Sequence, residues 1–248
     1  MLGVFVTARK LSFFSETLAH SSLTGVALGF WWGMSDPTLT QLLFSIVIAF
    51  GVVWLKDHTK LLTDTIMAVL LSGSVAVGVV ILSVLKGYRG ELHRYLFGDI
   101  LSTGPVQVWF GAAIAIIGGT FLLTKMRALT LMTLNEDLAQ VCGVRVKWLN
   151  WVFLMLLTFA VAFSVRLLGI ILVTSLLVVP AAAGRNVTHS LRTHLLTSVI
   201  FGILSGGCGV ILSYAFDLPC GPVIVLVAIG IFILSIVYAA IYKLVKRS

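Results

Sequence analysis

The stretch VIVLVAIGIFILSIVYAAIY, from Val223 to Tyr242, contains no charged residue. An α-helix needs about 20 predominantly apolar residues to cross the hydrocarbon core of a bilayer, and this stretch supplies them. Because lipid cannot satisfy open backbone polar groups, a run this long and this continuous indicates a helix and not a barrel strand. The stretch therefore predicts a membrane-spanning helix.

The rest of the chain has the same character. Of its 248 residues, 59% are hydrophobic and 10% are charged, and the mean hydropathy is +1.11. An ordinary soluble domain is only about 45–50% apolar. The composition predicts a single all-α, polytopic membrane domain over residues 1–248, with about eight transmembrane helices. The predicted spans are Leu18–Met34, Leu39–Leu55, Leu61–Leu85, Val106–Leu123, Leu149–Val165, Leu167–Ala183, Leu195–Tyr214 and Val223–Tyr242.

The net charge of +8 is first a signal of topology in such a chain, because cytoplasmic loops of membrane proteins are enriched in lysine and arginine. With Arg9 on the cytoplasmic side, eight spans place thirteen of the 17 basic residues on that side. We therefore expect both termini to be cytoplasmic. The charge needs no nucleic-acid partner to explain it.

Glu16 and His20 stand four residues apart where the first predicted span begins. At this spacing both side chains lie on one face of a helix, so a carboxylate oxygen and an imidazole nitrogen can converge on one ion. Nitrogen and oxygen ligands suit zinc and also accept manganese or iron. Two ligands do not make a tight site, which suits an ion that must leave again. The alternative is an ordinary interfacial helix start, in which Glu16 favours the helix N-terminus.

Two further acids lie at helix ends. Asp64 opens the third predicted span, and Asp99 follows Gly98 before the fourth. Without other information, Asp64 is explained as an anion in a first helical turn and Asp99 as a helix cap.

The polar interval 133–145 predicts a short helix between two spans. Asn135 can cap it, Glu136 and Asp137 sit in the first turn, and Gly143 can take the left-handed conformation after it. Its apolar face is predicted to carry Leu134, Leu138 and Val141. Such a helix can be a docking element or a simple linker.

Glycine spacing and one proline predict packing features. Glycines every four residues allow close approach of neighbouring helices. They are Gly25, Gly29 and Gly33 in the first span and Gly202 and Gly206 in the seventh. Pro180 removes a backbone donor near the end of the sixth span, and a kink or helix break is expected there.

The sequence contains no GxxxxGK[ST], no HExxH and no GxSxG. It therefore lacks the usual phosphate-binding loop, the usual metalloprotease helix and the usual nucleophile elbow. If ATP drives this protein, a separate subunit must hydrolyse it.

Several stretches, in order along the chain, resemble the permease subunits of the zinc, manganese and iron ABC importers, and most closely the zinc branch. They are GVFVTARKLSFFSETLAHSSLTGVALGF, TDTIMAVLLSGSVAVGVVIL, YLFGDIL, LNEDLAQVCGV, LGIILVTSLLVVPAAAGR and DLPCGPVIVLVA.

The resemblance implies a type II ABC importer fold, similar to the vitamin B12 permease, in a bacterial cytoplasmic membrane. It implies a second copy of the chain, a cytoplasmic ABC ATPase dimer, and an extracellular or periplasmic metal-binding protein that delivers the ion. Zinc, or manganese or iron, would be the transported substrate, with no permanently bound cofactor. Carried over to this sequence, the resemblance places Glu16, His20 and Asp64 on the ion path and makes Asn135–Gly143 the segment that couples to the ATPase.

The chain departs from the family pattern at two places. The family usually has aspartate where this chain has Glu16, which lengthens the side chain by one methylene. The family also has an apolar helix before GVFV, of which Leu2–Ala8 would be a truncated remainder.

Two hypotheses of other classes remain at this point. An intramembrane aspartyl protease would use Asp64 and Asp99 as a proton-sharing pair, and it needs both acids to face each other within the membrane. A passive metal channel would need no ATPase partner.

Overall fold

The computed structural model describes residues 1–85, 98, 104–188 and 190–245, and their regular secondary structure is helical. In chain order the helices are α1 (Leu2–Ala8), α2 (Ser12–Trp31), α3 (Thr38–His58), α4 (Thr63–Val84), α5 (Pro105–Thr124), α6 (Met126–Leu134), α7 (Glu136–Val141), α8 (Val146–Leu168), α9 (Ile170–Val187), α10 (Leu191–Phe216) and α11 (Cys220–Val245).

Seven of the described helices are long and apolar enough to cross a membrane, namely α3, α4, α5, α8, α9, α10 and α11. The prediction of an all-α polytopic protein is confirmed. The span predicted at Leu18–Met34 differs from the others. Its helix, α2, ends at Trp31 and is not among the seven, because hydroxyl side chains together with Glu16 and His20 lower its hydropathy.

The described chain divides into two compact units, Phe13–Ile170 and Met1–Ser12 with Ile171–Ser248. In the first unit, α3 and α8 run antiparallel. Near one end the buried Gln41 donates from Nε2 to the carbonyl oxygen of Ala162 at 2.8 Å. Near the other, the rings of Phe50 and Trp151 lie 5.9 Å apart. Polar and aromatic contacts thus fix the register of this pair over much of its length.

Glycines bring α2 against α3. A Cβ placed on Gly25 would lie 2.6 Å from the Cα of Gln41, and one on Gly29 would lie 2.6 Å from the Cβ of Pro37. Gly33 follows α2 with φ +73°, which favours glycine, and turns the chain towards α3. The close approach predicted from the four-residue spacing is therefore found at Gly25 and Gly29, whereas a Cβ on Gly33 would meet nothing within 4 Å.

Replacing Gly25 by alanine is expected to lower the free energy of unfolding by about 1–3 kcal/mol, because the added methyl meets backbone that cannot move aside. Gly73→Ala in α4 is the matched control. A Cβ there meets nothing within 4 Å, so its effect should be neutral or slightly stabilising. Thermal unfolding of both purified variants in detergent measures the difference, and equal midpoints would contradict the packing described for α2 and α3.

The second unit is built from α1, α9, α10 and α11. A Cβ on Gly3 of α1 would overlap the carbonyl group of Leu177 in α9. The ring of His194 on α10 hydrogen bonds through Nε2 to the carbonyl oxygen of Ala181 at 2.8 Å. Asn186 on α9 donates to Ser235 on α11 at 2.9 Å. Through these contacts α9 is joined to each of the other three helices.

Pro180 lies inside α9, which continues to Val187. The sequence predicted a kink or a helix break at this proline. The helix is not broken there, so the prediction of a break is wrong. Membrane helices tolerate an internal proline when neighbouring groups satisfy the backbone that it frees.

The glycine pair of the seventh predicted span also behaves differently from expectation. A Cβ on Gly202 or Gly206 would meet no neighbouring atom within 4 Å, whereas one on Gly209 would lie 2.6 Å from the Cα of Ile224. The close contact of α10 with α11 is therefore at Gly209, because that glycine and not the regularly spaced pair faces the adjacent helix.

An ion pair joins the loop before α3 to the end of α8. Arg166 donates from both terminal nitrogens to Asp36, at 2.8 and 3.2 Å. Burial raises the pKa of Asp36, but hydrogen bonds from Thr38 and the charge of Arg166 outweigh it and hold the pKa below its ordinary value of 3.8. Because the folded-state pKa is depressed, the contribution of the carboxylate to stability is present at neutral pH and is lost as the pH falls through the folded pKa.

We expect Asp36→Asn to lower the unfolding midpoint only slightly at neutral pH, since exposed ion pairs contribute about 0.2–1 kcal/mol. The difference from the wild type should disappear in acid, below the ordinary aspartate range. Midpoints measured against pH, with Asp57→Asn on the exposed end of α3 as control, test this. If the difference in midpoint between the wild type and Asp36→Asn widens in acid, the lowered pKa of Asp36 is contradicted.

Candidate functional site

The helix α2 is buried over most of its surface although it carries many polar side chains. Its buried hydroxyl residues are Ser15, Thr17, Ser21, Ser22 and Thr24. In the part of the helix where these lie, Glu16 is exposed and His20 is half-buried. An open stripe on a mostly buried helix therefore carries the two side chains that the sequence predicted as metal ligands.

Glu16 and His20 are brought together, as their spacing predicted. They lie one helical turn apart on one face, and the Glu16 carboxylate is close enough to act electrostatically on the His20 ring. The pair offers oxygen and nitrogen donors, the set that zinc and manganese accept. Both side chains are at least partly open, so an ion held by them could be exchanged.

Asp64 occupies the first turn of α4 and is exposed. The contacts of Thr17 with Met67, and of Thr24 with Gly78 further along, show that α2 and α4 run in the same direction. The beginnings of the two helices thus lie at one end of this unit, and Asp64 is at that end. In the described ranges, however, no three His, Cys, Asp or Glu residues form a group that could hold a metal ion.

Sequence reasoning missed the hydroxyl contacts that hold α2 to α4. Thr17 donates to the Met67 carbonyl oxygen at 3.4 Å, Ser21 and Ser74 share a hydrogen bond of 2.7 Å, and Thr24 donates to the carbonyl oxygen of Ser74. The signal was present, because residues 17, 21 and 24 follow the spacing of one helical face. Their partners on α4 were not evident from the sequence. These contacts fix the helix that presents Glu16 and His20.

The segment predicted to be a short helix is one. The side-chain oxygen of Asn135 accepts hydrogen bonds from the backbone of Asp137 and Leu138, and Glu136 and Asp137 form the acidic first turn of α7. Gly143 follows with φ +79°. Leu138 and Val141 lie on α7 and are exposed by 58% and 86%. Leu134, which was predicted on the same face, instead ends α6 and is exposed by 78%.

Asp99 lies outside the described residues, as does most of the stretch YLFGDIL. The pairing of Asp64 with Asp99 that the protease hypothesis needs is therefore not described. Asp64 itself is at a helix end.

Comparison with known proteins gives a consistent assignment. Residues 1–239 match the ABC 3 transport family. The chain is 32% identical over 236 residues to the high-affinity zinc uptake system membrane protein ZnuB of Haemophilus influenzae, covering 95% of this chain and 90% of the relative. It is 28% identical over 239 residues to the manganese transport system membrane protein MntC of Listeria monocytogenes, covering 96% of this chain and 85% of the relative.

Among solved structures, PsaBC from Streptococcus pneumoniae in complex with Fab is similar over 94% of this chain and 84% of its own, with a TM-score of 0.82 and 26% identity. The resemblance stated from the sequence motifs is confirmed by these matches. Because the family match spans residues 1–239, the chain belongs to the ABC 3 transport family.

Proposed function

We propose that this chain is the transmembrane permease subunit of an ABC importer that takes up zinc. One observation carries the proposal. The open stripe of α2 presents Glu16 and His20, an oxygen and a nitrogen donor, on a helix that is mostly buried. Ionisable groups within membrane segments are costly and commonly mark an ion pathway. The relatives named for zinc uptake and manganese transport fit a metal ion as the substrate.

The transport step follows from the chemistry of this stripe. Glu16 and His20 give the ion two ligands, and water or a further side chain completes its coordination. Asp64, at the same end of the unit, is proposed as the next acid that the ion meets. Incomplete coordination by the protein lets the ion leave, which a closed four-ligand site would prevent. The chain provides the path and performs no covalent chemistry.

The driving force is proposed to come from a cytoplasmic ABC ATPase dimer. The exposed apolar face of α7 is the surface on which the ATPase would dock, because Leu138 and Val141 are largely exposed in the described chain. ATP binding would then move α7 and rock the spans between outward-open and inward-open states. In this arrangement Asn135, Glu136 and Asp137 hold the coupling helix in shape.

The remaining parts of the proposal concern assembly. Two copies of the chain would enclose the path in a bacterial cytoplasmic membrane, with both termini cytoplasmic. A metal-binding protein would deliver the ion from the opposite side. Accessibility of single cysteines placed near residues 9 and 217 to a membrane-impermeant reagent tests the orientation.

The proposed function is tested by uptake of radioactive zinc in cells that lack their own zinc importer and receive this chain with its ATPase and binding protein. We expect uptake that requires all three components and that excess manganese inhibits only weakly. Manganese uptake with weak inhibition by zinc would instead support the manganese permease, the alternative favoured by the similarity to MntC. Uptake that persists without the ATPase would overturn an importer in favour of a channel.

A further inference from the structure

A groove opens where α5 ends and α8 begins. Lys125, which follows α5, and Arg145, which precedes α8, are exposed at its rim together with Trp148. Ala128 of α6 and the buried Leu149 contribute apolar surface to its lining. Two cations, an indole ring and an apolar lining thus meet in one concave surface within a single compact unit.

The groove is electropositive. Its lining contains no carboxylate, and Arg127 and Lys147 lie close by in the chain and are also exposed. In the part of the chain that the structure describes, neither Lys125 nor Arg145 forms an ion pair with a carboxylate. An anion entering the groove would find both positive charges available.

The position of the groove along the membrane normal indicates which kind of anion it binds. It lies at the ends of two candidate spans, Pro105–Thr124 and Val146–Leu168, which is the boundary between hydrocarbon and water. Trp148, in the first turn of α8, is 56% exposed at this level, where tryptophan rings favour the lipid headgroup region. A free anion would use the two cations but would gain little from the indole and the apolar lining.

We propose that this groove binds an anionic phospholipid of the surrounding bilayer. Lys125 and Arg145 contact the phosphate of the headgroup, and Trp148 lies against the glycerol and the start of the acyl chains. The proposal rests on the groove itself and not on transport. The orientation proposed above serves only to place the lipid in the cytoplasmic leaflet, where anionic lipids attract basic residues near the membrane surface.

The test is native mass spectrometry of the delipidated full-length protein, titrated with phosphatidylglycerol or phosphatidylcholine. We expect the wild type to prefer phosphatidylglycerol. The double variant Lys125→Gln/Arg145→Gln should bind it roughly 20- to 30-fold more weakly, since each basic residue near an anionic surface contributes about fivefold. Both side chains are exposed, so the substitutions should leave the unfolding midpoint unchanged.

Lys56→Gln/Lys60→Gln is the matched control. It removes the same charge at the exposed end of α3 and just beyond it, beside the exposed Trp54, and neither lysine lines this groove. Its affinity for phosphatidylglycerol should stay near that of the wild type. An equal loss in both double variants would overturn the proposal, because it would show attraction to overall charge and not to this groove.

Two further measurements distinguish a lipid from a small anion or a protein partner in this groove. Trp148→Ala should also weaken lipid binding, and inorganic phosphate should not displace the lipid at concentrations that leave the protein intact. Displacement by inorganic phosphate, with no effect of Trp148→Ala, would reduce the site to one for small anions. Loss of ATPase co-purification in Lys125→Gln/Arg145→Gln with unchanged lipid affinity would assign the groove to the protein partner and overturn the lipid site.

Discussion

Zinc uptake by His20→Ala is expected to fall by at least about tenfold, because even loss of a group that merely orients a metal ligand typically reduces affinity or activity by about 10–100-fold. His20 is half-buried on the open stripe of α2, and alanine there removes the nitrogen donor without adding bulk. The measurement is initial uptake of radioactive zinc, normalised to the amount of permease in the membrane and to the ATPase that co-purifies with it.

His58→Ala is the control for this prediction. His58 is exposed at the end of α3, where its ring stacks on Trp54, and its loss should leave uptake unchanged. Glu16→Asp, which keeps the carboxylate on a side chain one methylene shorter, should keep substantial uptake, whereas Glu16→Gln should not. Normal uptake by His20→Ala would return Glu16 and His20 to an ordinary interfacial helix start and would move the search for the ion path to Asp64.

The double variant Leu138→Arg/Val141→Arg is expected to abolish both ATPase association and uptake. Burial of each apolar side chain in an interface contributes about 1.5–3 kcal/mol, so loss of both should weaken association at least about 100-fold. The substitutions lie on the exposed face of α7 and leave the Asn135 cap in place. Co-purification of the ATPase and zinc uptake are measured on the same membranes.

Leu138→Met/Val141→Ile is the matched control, since it keeps the apolar surface and should preserve both readouts. Reversal of Glu136 and Asp137 to lysine provides a second probe of the same segment. If the arginine variant retains its ATPase, or if the charge reversal leaves uptake untouched, α7 is a linker and not the coupling helix.

Much of the fold could be predicted from hydrophobic runs, because a span must be long and apolar wherever it contacts lipid. The prediction was less accurate for α2. A helix that is surrounded by protein need not be uniformly apolar, so it can carry serines and threonines. The prediction was wrong about a break at Pro180, where tertiary contacts and not local propensity decide whether a helix continues. The capped helix at Asn135 was predictable because its signals are all local.

The candidate site was likewise predictable only where local spacing determines the geometry. The spacing of Glu16 and His20 determines that they share a helix face, and no knowledge of other helices is needed. Which glycines make contact was not predictable, since Gly25 and Gly202 stand in the same spacing and only Gly25 faces a neighbour. The role of Asp64 depends on groups brought close by folding, and the described residues gather no third ligand around it, so its place on the ion path stays a prediction.

The contacts of α2 with α3 and α4 also have a consequence for the order in which the helices insert into the membrane. Ser21 and Thr24 find their interhelical partners on α4, which leaves the ribosome after the whole of α3. A polar helix enters the bilayer reluctantly by itself. Its glycines Gly25 and Gly29 pack against the start of α3, which follows directly. We therefore expect residues 12–84 to insert as one cooperative block, in which the early, weakly apolar α2 is retained by the two helices that are synthesised after it.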